Sequence, residues 1–265
     1  MSESQVWWPP DYAERGILIS GGTSGVGLAT AMAFASAGAR RLVLVGRDTQ
    51  RGKDAVERVC AEYPRSVPTF LPADANDPDA AEQVAAAAVA HLGRLDVLVN
   101  STVAPYQPTL LHDIPIAELL NMLVQQAAAP ILMSRAAIPY MRARHSGSII
   151  NIASDAVKVP TPGESAIGAA MAAIVTFSRT LAVEAKRYGV TVNAITPSLI
   201  ANTGSYDRAM GREFSKKIFE RIISQAHLGV TEPEDLAALI LFLTSPMAAK
   251  ITGQVISVNG GISVA

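Results

Sequence analysis

Three glycines near the start of the chain have the spacing of a phosphate-binding loop. Gly21, Gly25 and Gly27 follow an apolar run at 16–20 and precede an alanine-rich segment of helical length. The first glycine allows a sharp turn, the second lets the backbone approach a phosphate, and the third lets the helix pack closely. Because a helix N-terminus offers free N–H groups and a positive dipole end, we expect the loop to bind the pyrophosphate of a dinucleotide.

An arginine follows the second apolar run, at the position that distinguishes two nicotinamide cofactors. An acidic residue there would accept hydrogen bonds from the ribose hydroxyls and select NAD(H), whereas a guanidinium can bind a 2′-phosphate with two parallel hydrogen bonds. Here the sequence reads Gly46-Arg47. Arg47 therefore favours NADP(H), with NAD(H) as the alternative. The competing interpretation is a solvated surface arginine beside Asp48.

The glycine spacing, with Ser20 in place of a threonine, resembles the short-chain dehydrogenase/reductase family. The resemblance runs nearly end to end, through segments similar to the family's adenine-contacting pair and its later strands and helix: Asp74-Ala75, Leu95–Asn100, Ala136–Met141, Gly147–Ser154, Val192–Pro197 and Ile251–Gly261. It implies a Rossmann fold. It also implies cofactor contacts from twelve residues: Gly21, Thr23, Ser24, Gly25, Val26, Gly27, Arg47, Asp74, Ala75, Asn100, Pro197 and Ile200.

The resemblance also implies a proton-transfer set that this chain largely lacks. Family members use a Tyr-x-x-x-Lys pair, a serine and an asparagine. The tyrosine is the acid or base, the lysine lowers its pKa and holds the ribose, and the serine positions the carbonyl. Ser154 stands at the serine position, but Ile167, Met171 and Gln126 stand where tyrosine, lysine and asparagine should be, and no Tyr-x-x-x-Lys occurs in the sequence. Because a positioned acid or base contributes about 10²–10⁴ in rate, we expect the usual hydride transfer to be weak or absent.

Other groups near these positions give weaker indications. Asp155 would serve as a base if it turned into the cleft, although a solvated turn residue is the favoured interpretation. Lys158 has the spacing of a Ser–Lys dyad, but we expect a strand end and loop there. Gly163–Gly168 narrowly misses the spacing of a nucleophile elbow, and Glu164-Ser165 instead predicts a helix start. The histidines lack metal-ligand spacing, so we expect no metal site: His91, His112, His145 and His227.

These residues must be positioned by an alternating pattern of short apolar runs and longer helical segments. The candidate strands are Gly16–Ser20, Arg41–Val45, Val67–Leu71, Leu95–Asn100, Ser148–Ala153, Val190–Ile195 and Gln254–Val258, and the candidate helices lie near 25–37, 49–62, 78–92, 115–144, 165–188 and 233–244. Near-continuous apolar strands separated by helices predict an α/β fold with a seven-stranded, doubly wound parallel sheet and helices on both faces. The polar, glycine-interrupted stretch 198–230 is expected to be an irregular, mobile flap over the site.

Length and composition fit one domain spanning 1–265, with an N-terminal extension at 1–14. The chain has 265 residues, 49% of them hydrophobic, and a net charge of −1, which gives no electrostatic footprint for nucleic acid or an anionic membrane. A single cysteine, Cys60, fits a reducing compartment, and with no secretory signal or long uninterrupted apolar stretch we expect a cytoplasmic protein. Trp7-Trp8 is expected to pack on the protein itself.

Three functions remain open from the sequence. The first is an atypical NADP(H)-dependent oxidoreductase that works through Ser154 and Gln126 on a small-molecule substrate. The second is a non-redox enzyme, such as an isomerase, lyase or cyclase, with an apolar pocket at Ile167 and Met171. The third is a non-catalytic cofactor-binding or partner subunit. The family resemblance implies a homodimer or homotetramer that assembles through the helices near 115–144 and 165–188 and the last strand.

Overall fold

The computed structural model of the protein describes residues 12–265. The interpretation of Trp7-Trp8, and most of the predicted extension at 1–14, lie outside the described residues.

Seven parallel strands form one sheet in the order β3-β2-β1-β4-β5-β6-β7, which confirms the predicted fold. The strands are β1 Gly16–Ser20, β2 Arg41–Gly46, β3 Val67–Pro72, β4 Val97–Asn100, β5 Gly147–Ile152, β6 Val190–Pro197 and β7 Val255–Val258. The order reverses between β1 and β4. In doubly wound sheets this reversal opens a crevice at the carboxyl ends of the strands, where ligands bind.

Eight α-helices flank the sheet in the described part of the chain: α1 Gly25–Ser36, α2 Thr49–Glu62, α3 Pro78–Leu92, α4 Ile116–Ala143, α5 Ser165–Ala185, α6 Gly204–Met210, α7 Glu213–Ile223 and α8 Pro233–Thr244. Successive strand residues point to opposite faces. Thus Ile17 and Ile19 pack with α1 and α8, whereas Leu18 packs with α3, α4 and α5. Both faces are covered, which is why the strands are apolar throughout.

Two of these helices, α4 and α5, are long and apolar enough to cross a membrane by length and composition alone. Each buries a stripe against the sheet instead, including Met133 and Ala137 from α4 and Ala182 from α5. The opposite side of α4 exposes apolar side chains at a spacing of four residues, with Ile116 at 87% and Leu120 at 75% exposure. Helix α4 is therefore apolar on two sides, of which one is buried against the sheet and the other is exposed.

The stretch 198–230 is more regular than expected, because it contains α6 and α7. The Thr203 hydroxyl accepts a hydrogen bond from the Tyr206 N–H and begins α6. On α7, Phe219 is buried while lysine–glutamate pairs at i,i+4 occupy the exposed side. The sequence looks polar and irregular because these short helices bury only one narrow face each.

Candidate active site

A cavity of about 1090 Å³ opens at the carboxyl ends of the strands. Its wall comes from the loop between β1 and α1, the end of β2, the segment after β4, the end of β5, the start of α5 and the two short helices α6 and α7. The predicted cofactor and catalytic residues lie around this one cavity, with two exceptions, Gly27 and Asn100.

The glycine loop forms one end of the cavity. Gly21 has φ +78°, and a Cβ there would lie 2.6 Å from the carbonyl oxygen of Ser101, so only glycine fits the turn. Gly27 lies behind the wall, where its Cα approaches the backbone of Gly21 too closely to allow a side chain. Gly25, with φ +49°, faces open space, and the nearest atom to a Cβ there would be Cγ2 of Thr203 at 3.4 Å.

This end of the cavity fits an anionic group such as a pyrophosphate. Ser24 is the N-cap residue of α1, yet within residues 12–265 its side chain makes no capping hydrogen bond. The first N–H groups of α1 are thus available to a ligand. The hydroxyl of Ser20, which also lines the cavity, is fully buried and has no hydrogen-bond partner in the described part of the chain. Thr23 and Val26 complete this wall.

The far end of the cavity carries Arg47, Asp74 and Ala75. Nη1 of Arg47 lies 3.7 Å from Oδ2 of Asp74, and the Arg47 side chain is 64% exposed. Asp48 is engaged elsewhere, because its carboxylate accepts the Arg51 N–H at 3.0 Å and caps α2. That hydrogen bond lowers the pKa of Asp48. The guanidinium of Arg47 therefore lines this end with most of its surface free, as does that of Arg51, whose side chain is 59% exposed.

Asn100 does not line the cavity, contrary to the predicted cofactor contact. Its Nδ2 donates to Oδ1 of Asn151 at 2.8 Å and to Oγ of Ser134 at 3.2 Å, inside the core. Asn100 and Asn151 stand opposite each other in the register of β4 and β5, so strand alternation turns both side chains inward. The next residues, Ser101 and Thr102, reach the cavity instead.

The middle of the cavity is lined by the four residues at the family's catalytic positions: Ser154, Gln126, Ile167 and Met171. Ser154 is half-buried, and its Oγ accepts the Ala156 N–H at 3.2 Å. Gln126 is buried at 8% exposure, and its side-chain amide makes no hydrogen bond to any residue of 12–265. Ile167 and Met171 are buried and pack with Ala127 and Ile174. The middle of the cavity therefore combines one hydroxyl and one amide with an apolar wall.

Asp155 is neither a solvated turn residue nor a free base, so the favoured interpretation was wrong. It is only 5% exposed, and its carboxylate accepts hydrogen bonds from Ser257 Oγ at 3.1 Å, Asn259 Nδ2 at 2.5 Å and Ser263 Oγ at 3.3 Å. A 3₁₀ turn at Asp155–Val157 brings it to this C-terminal segment. Lys158 donates to Ser257 Oγ at 2.8 Å and to the Val255 carbonyl at 3.1 Å, so these bonds hold its amine on the last strand.

Glu164 is the residue that sequence reasoning missed. Helix α5 begins at Ser165, as predicted, but the Glu164 side chain lines the cavity rather than only marking a helix start. Burial raises the pKa of Glu164 to about 7, against a smaller opposing effect from a hydrogen bond with Thr161. The spacing Glu164, Ile167, Met171 is i, i+3, i+7, which places all three on one helix face and was the available signal.

The remaining wall comes from the end of β6 and the segment 198–230. Pro197 and Ile200 line the cavity, together with Leu199 between β6 and α6, Tyr206 from α6, and Phe219 and Ile222 from α7. Arg208 and Arg221 stand at the exposed edge. Among residues 12–265, no three His, Cys, Asp or Glu side chains are grouped as metal ligands would be. The predicted lack of a metal site stays a prediction.

Known proteins resemble this chain over nearly its whole length. A family model described as enoyl-(acyl carrier protein) reductase matches residues 21–263. The 3-oxoacyl-[acyl-carrier-protein] reductase of Synechocystis sp. is 30% identical over 246 residues, covering 92% of this chain and 95% of that protein. The 2-(S)-hydroxypropyl-CoM dehydrogenase 3 of Xanthobacter autotrophicus is 32% identical over 251 residues, covering 93% and 96%.

Solved structures show the same similarity. Levodione reductase superimposes with a TM-score of 0.90 at 28% identity, covering 96% of this chain and 99% of that one. YwfH, an NADPH-dependent reductase involved in bacilysin biosynthesis, gives a TM-score of 0.87 at 27% identity, covering 95% and 99%.

Proposed function

Because the chain belongs to the short-chain dehydrogenase/reductase family, we propose that it binds NADP(H) and lacks the family's usual proton-transfer pair. The usual hydride transfer between carbonyl and alcohol is then weak or absent. The observation that carries this proposal is the pair Ile167 and Met171, which lines the cavity beside Ser154 at the family's spacing. Neither side chain has a titratable proton.

Binding of the cofactor rests on three features of the cavity. The open face of Gly25 and the uncapped start of α1 suit a pyrophosphate. The largely exposed guanidinium of Arg47 suits a 2′-phosphate, which makes NADP(H) the preferred cofactor and NAD(H) the alternative. The YwfH protein, which shares the fold, is itself NADPH-dependent.

A nicotinamide bound in this cavity would supply or accept a hydride. The protein's own contribution is to hold a small substrate in place: Ser154 offers a hydroxyl, Gln126 offers an amide with no other partner among the described residues, and Ile167 excludes water. We propose the segment 198–230, with α6 and α7, as the flap that covers the substrate.

The exposed apolar side of α4 supports a further part of the proposal, an assembly of identical subunits. Ile116, Leu120 and Val124 are exposed at intervals of four residues on α4, and Val183 is exposed on α5. Such a stripe is costly to leave in water. A homodimer or homotetramer formed through these helices would cover it, and the same surface would serve a non-catalytic partner subunit.

A titration with NADPH, NADH and NADP⁺, read by fluorescence and by thermal shift, tests the binding proposal. We expect saturable NADPH binding and weaker NADH binding. Absence of binding by all three nucleotides would refute it. A panel of carbonyl compounds then measures how much NADPH oxidation remains, and rates typical of active family members would contradict the loss of the usual mechanism. The non-redox alternative is favoured by the apolar wall, and turnover without NADPH consumption would support it.

A further inference from the structure

We propose that the Glu164 carboxyl group is the proton donor and acceptor of this cavity, for carbonyl and alcohol substrates of mainly apolar character. The proposal rests on the proposed NADP(H) binding for its hydride. It names the group that replaces the missing tyrosine hydroxyl.

The first argument is position. Glu164 is the residue immediately before α5, three residues before Ile167 and seven before Met171, at the helix end nearest the place of the missing tyrosine. All three side chains line the cavity together with Ser154. A glutamate side chain is shorter than a tyrosine side chain. Because Glu164 comes three residues before the tyrosine position, its carboxyl group lies at the edge of the space that the tyrosine hydroxyl would occupy.

The second argument is that the backbone holds Glu164 firmly at this place. The preceding Gly163 has φ +84°, and its carbonyl accepts the Thr109 N–H at 2.8 Å. A Cβ at Gly163 would lie 2.9 Å from the Phe214 ring. The turn before α5 is therefore clamped between the loop after β4 and helix α7. A group that transfers a proton to a substrate must be held in a fixed position, and a fixed backbone provides this.

The third argument is the chemical state of the carboxyl group. Burial favours the neutral acid, and the positive end of the α5 dipole favours the carboxylate. Burial prevails and raises the pKa of Glu164 to about 7. A group with a pKa near the working pH is present in both forms, so it can give a proton in one direction and take it in the other.

All of the neighbouring titratable and charged groups except Tyr206 are hydrogen-bonded or exposed. Those from the elements around the cavity are Tyr106, Asp155, Lys158, Tyr206, Arg208, Glu213 beside Phe214, and Arg221. Asp155 and Lys158 are hydrogen-bonded to the C-terminal strand region, and the Tyr106 hydroxyl accepts from Asn121. Glu213 pairs with Lys217, and the two arginines are exposed. Glu164 is the carboxyl group of this part of the cavity that is not already held by several donors.

In the reduction of a carbonyl compound, Glu164 would supply the proton. Bound NADPH would supply the hydride that forms the new C–H bond and would become NADP⁺, while the carbonyl oxygen takes the proton of the Glu164 carboxyl as the new O–H bond. The carboxylate regains a proton from water, and oxidation of the alcohol runs through the same transfers in reverse. Val159, Pro160, Ile167, Leu199 and Phe219 surround this place with apolar surface, which suits neutral substrates.

The first test follows the proton directly and needs no cofactor. Protein labelled with ¹³C at the glutamate carboxyls is titrated by NMR, and the signal that disappears in Glu164→Gln identifies the residue. We expect that signal to titrate near pH 7. Titration near 4.5, the usual value, would overturn the proposal. Glu184→Gln, an exposed position on the same helix, is the matched control.

The second test separates a catalytic role from a structural one. We expect Glu164→Gln to lower NADPH-dependent carbonyl reduction by about 10²-fold or more and to remove the ionisation near pH 7 from its pH profile, without changing NADPH affinity. In the background Ile167→Tyr with Met171→Lys, where a tyrosine supplies the proton, the same change should cost less than about threefold. An equal loss in both backgrounds would show a structural role and overturn the proposal.

The two proposals can fail separately. NADPH binding without any turnover that depends on Glu164 would overturn the role of Glu164 and leave the binding proposal intact. Absence of NADPH binding would refute the proposed function, while the NMR titration would still report whether Glu164 holds a proton near neutral pH.

Discussion

Gly25 and Thr203 face each other across the cavity. A Cβ built on Gly25 would stand 3.4 Å from Cγ2 of Thr203, and nothing else but the next atom of the same residue lies within 4 Å. Gly25 is the first residue of α1, after the glycine loop, and Thr203 caps α6 in the segment 198–230. A ligand phosphate on Gly25 would therefore also be near the start of α6.

The first prediction concerns Gly25→Ala. The added methyl group enters the space meant for the pyrophosphate, so we expect NADPH affinity to fall about tenfold or more, which corresponds to about 1.4 kcal/mol. The positive φ should cost about 1–2 kcal/mol of stability. Gly229→Ala is the control, because Gly229 also has a positive φ and open space around it but does not line the cavity. Equal NADPH affinity in both variants would contradict the assignment of the loop.

The second prediction concerns Arg47→Ala. Loss of a charged hydrogen-bond donor to the 2′-phosphate should cost about 1.5–3 kcal/mol, or about ten- to a hundredfold in NADPH affinity. NADH, which lacks that phosphate, should be unaffected. Isothermal titration of both nucleotides measures the ratio. Arg65→Ala, at an exposed turn away from the cavity, is the control and should change neither affinity. If Arg47→Ala lowered the affinity for NADH as much as that for NADPH, Arg47 would not select between the two nucleotides.

The third prediction restores the family's pair. Ile167→Tyr combined with Met171→Lys should raise NADPH-dependent reduction of simple carbonyl compounds by about 10²-fold or more, since it restores the family's acid beside Ser154 together with the lysine that lowers its pKa and holds the ribose, which Glu164 alone does not do. Initial rates over the same carbonyl panel measure the gain. Ile167→Phe with Met171→Lys adds nearly the same volume without the hydroxyl. If that variant gained equally, pocket shape and not proton transfer would explain the gain.

The fourth prediction concerns stability against pH. The pKa of Glu164 is raised from 4.5 to about 7 on folding, so between these values the folded state binds more protons than the unfolded state. Stability must then fall as pH rises through this range. Glu164→Gln removes this dependence, so its stability relative to the unmodified protein should increase from pH 4.5 to above 7, by at most about 3 kcal/mol. Denaturant unfolding at pH 5 and pH 8 measures it, and an equal difference at both would contradict the raised pKa.

The fifth prediction concerns assembly. Leu120→Glu places a charge in the exposed apolar stripe of α4 and should convert the assembled form to monomers, as measured by light scattering after size-exclusion chromatography. Leu228→Glu changes a side chain outside that stripe that is even more exposed, at 86% against 75% for Leu120. We expect it to leave the assembly intact. A monomeric unmodified protein would refute the proposed assembly.

The sequence predicted the sheet of this protein well, because buried parallel strands appear in a sequence as short, nearly continuous apolar runs. Every strand lies within two residues of its expected limits. The largest differences are two residues: β4 begins at Val97 rather than Leu95, and β6 ends at Pro197 rather than Ile195. Helices α6 and α7 were missed because each buries only a few residues, such as Ala209 and Phe219, under an otherwise charged surface.

The site was less predictable, since the state of a side chain depends on partners that are distant in sequence. Asp155 looked like a solvated turn residue because its three hydrogen-bond donors come about a hundred residues later. Asn100 looked like a ligand contact, but its register partner Asn151 draws it into the core. Glu164 looked like a helix start, and only the folded structure shows that it lines the cavity, where burial raises the pKa of its carboxyl group.

The bonds that join Asp155 to Ser257, Asn259 and Ser263 also set an order of events during synthesis. The ribosome releases the chain from its N-terminus, so the phosphate-binding loop and the first strands emerge long before residues 257–263 do. Until those residues emerge, Asp155 lacks these hydrogen-bond donors, and β7 is missing from the sheet edge. The part of the cavity wall that contains Asp155 is therefore completed only near the end of translation, well after the glycine loop has emerged.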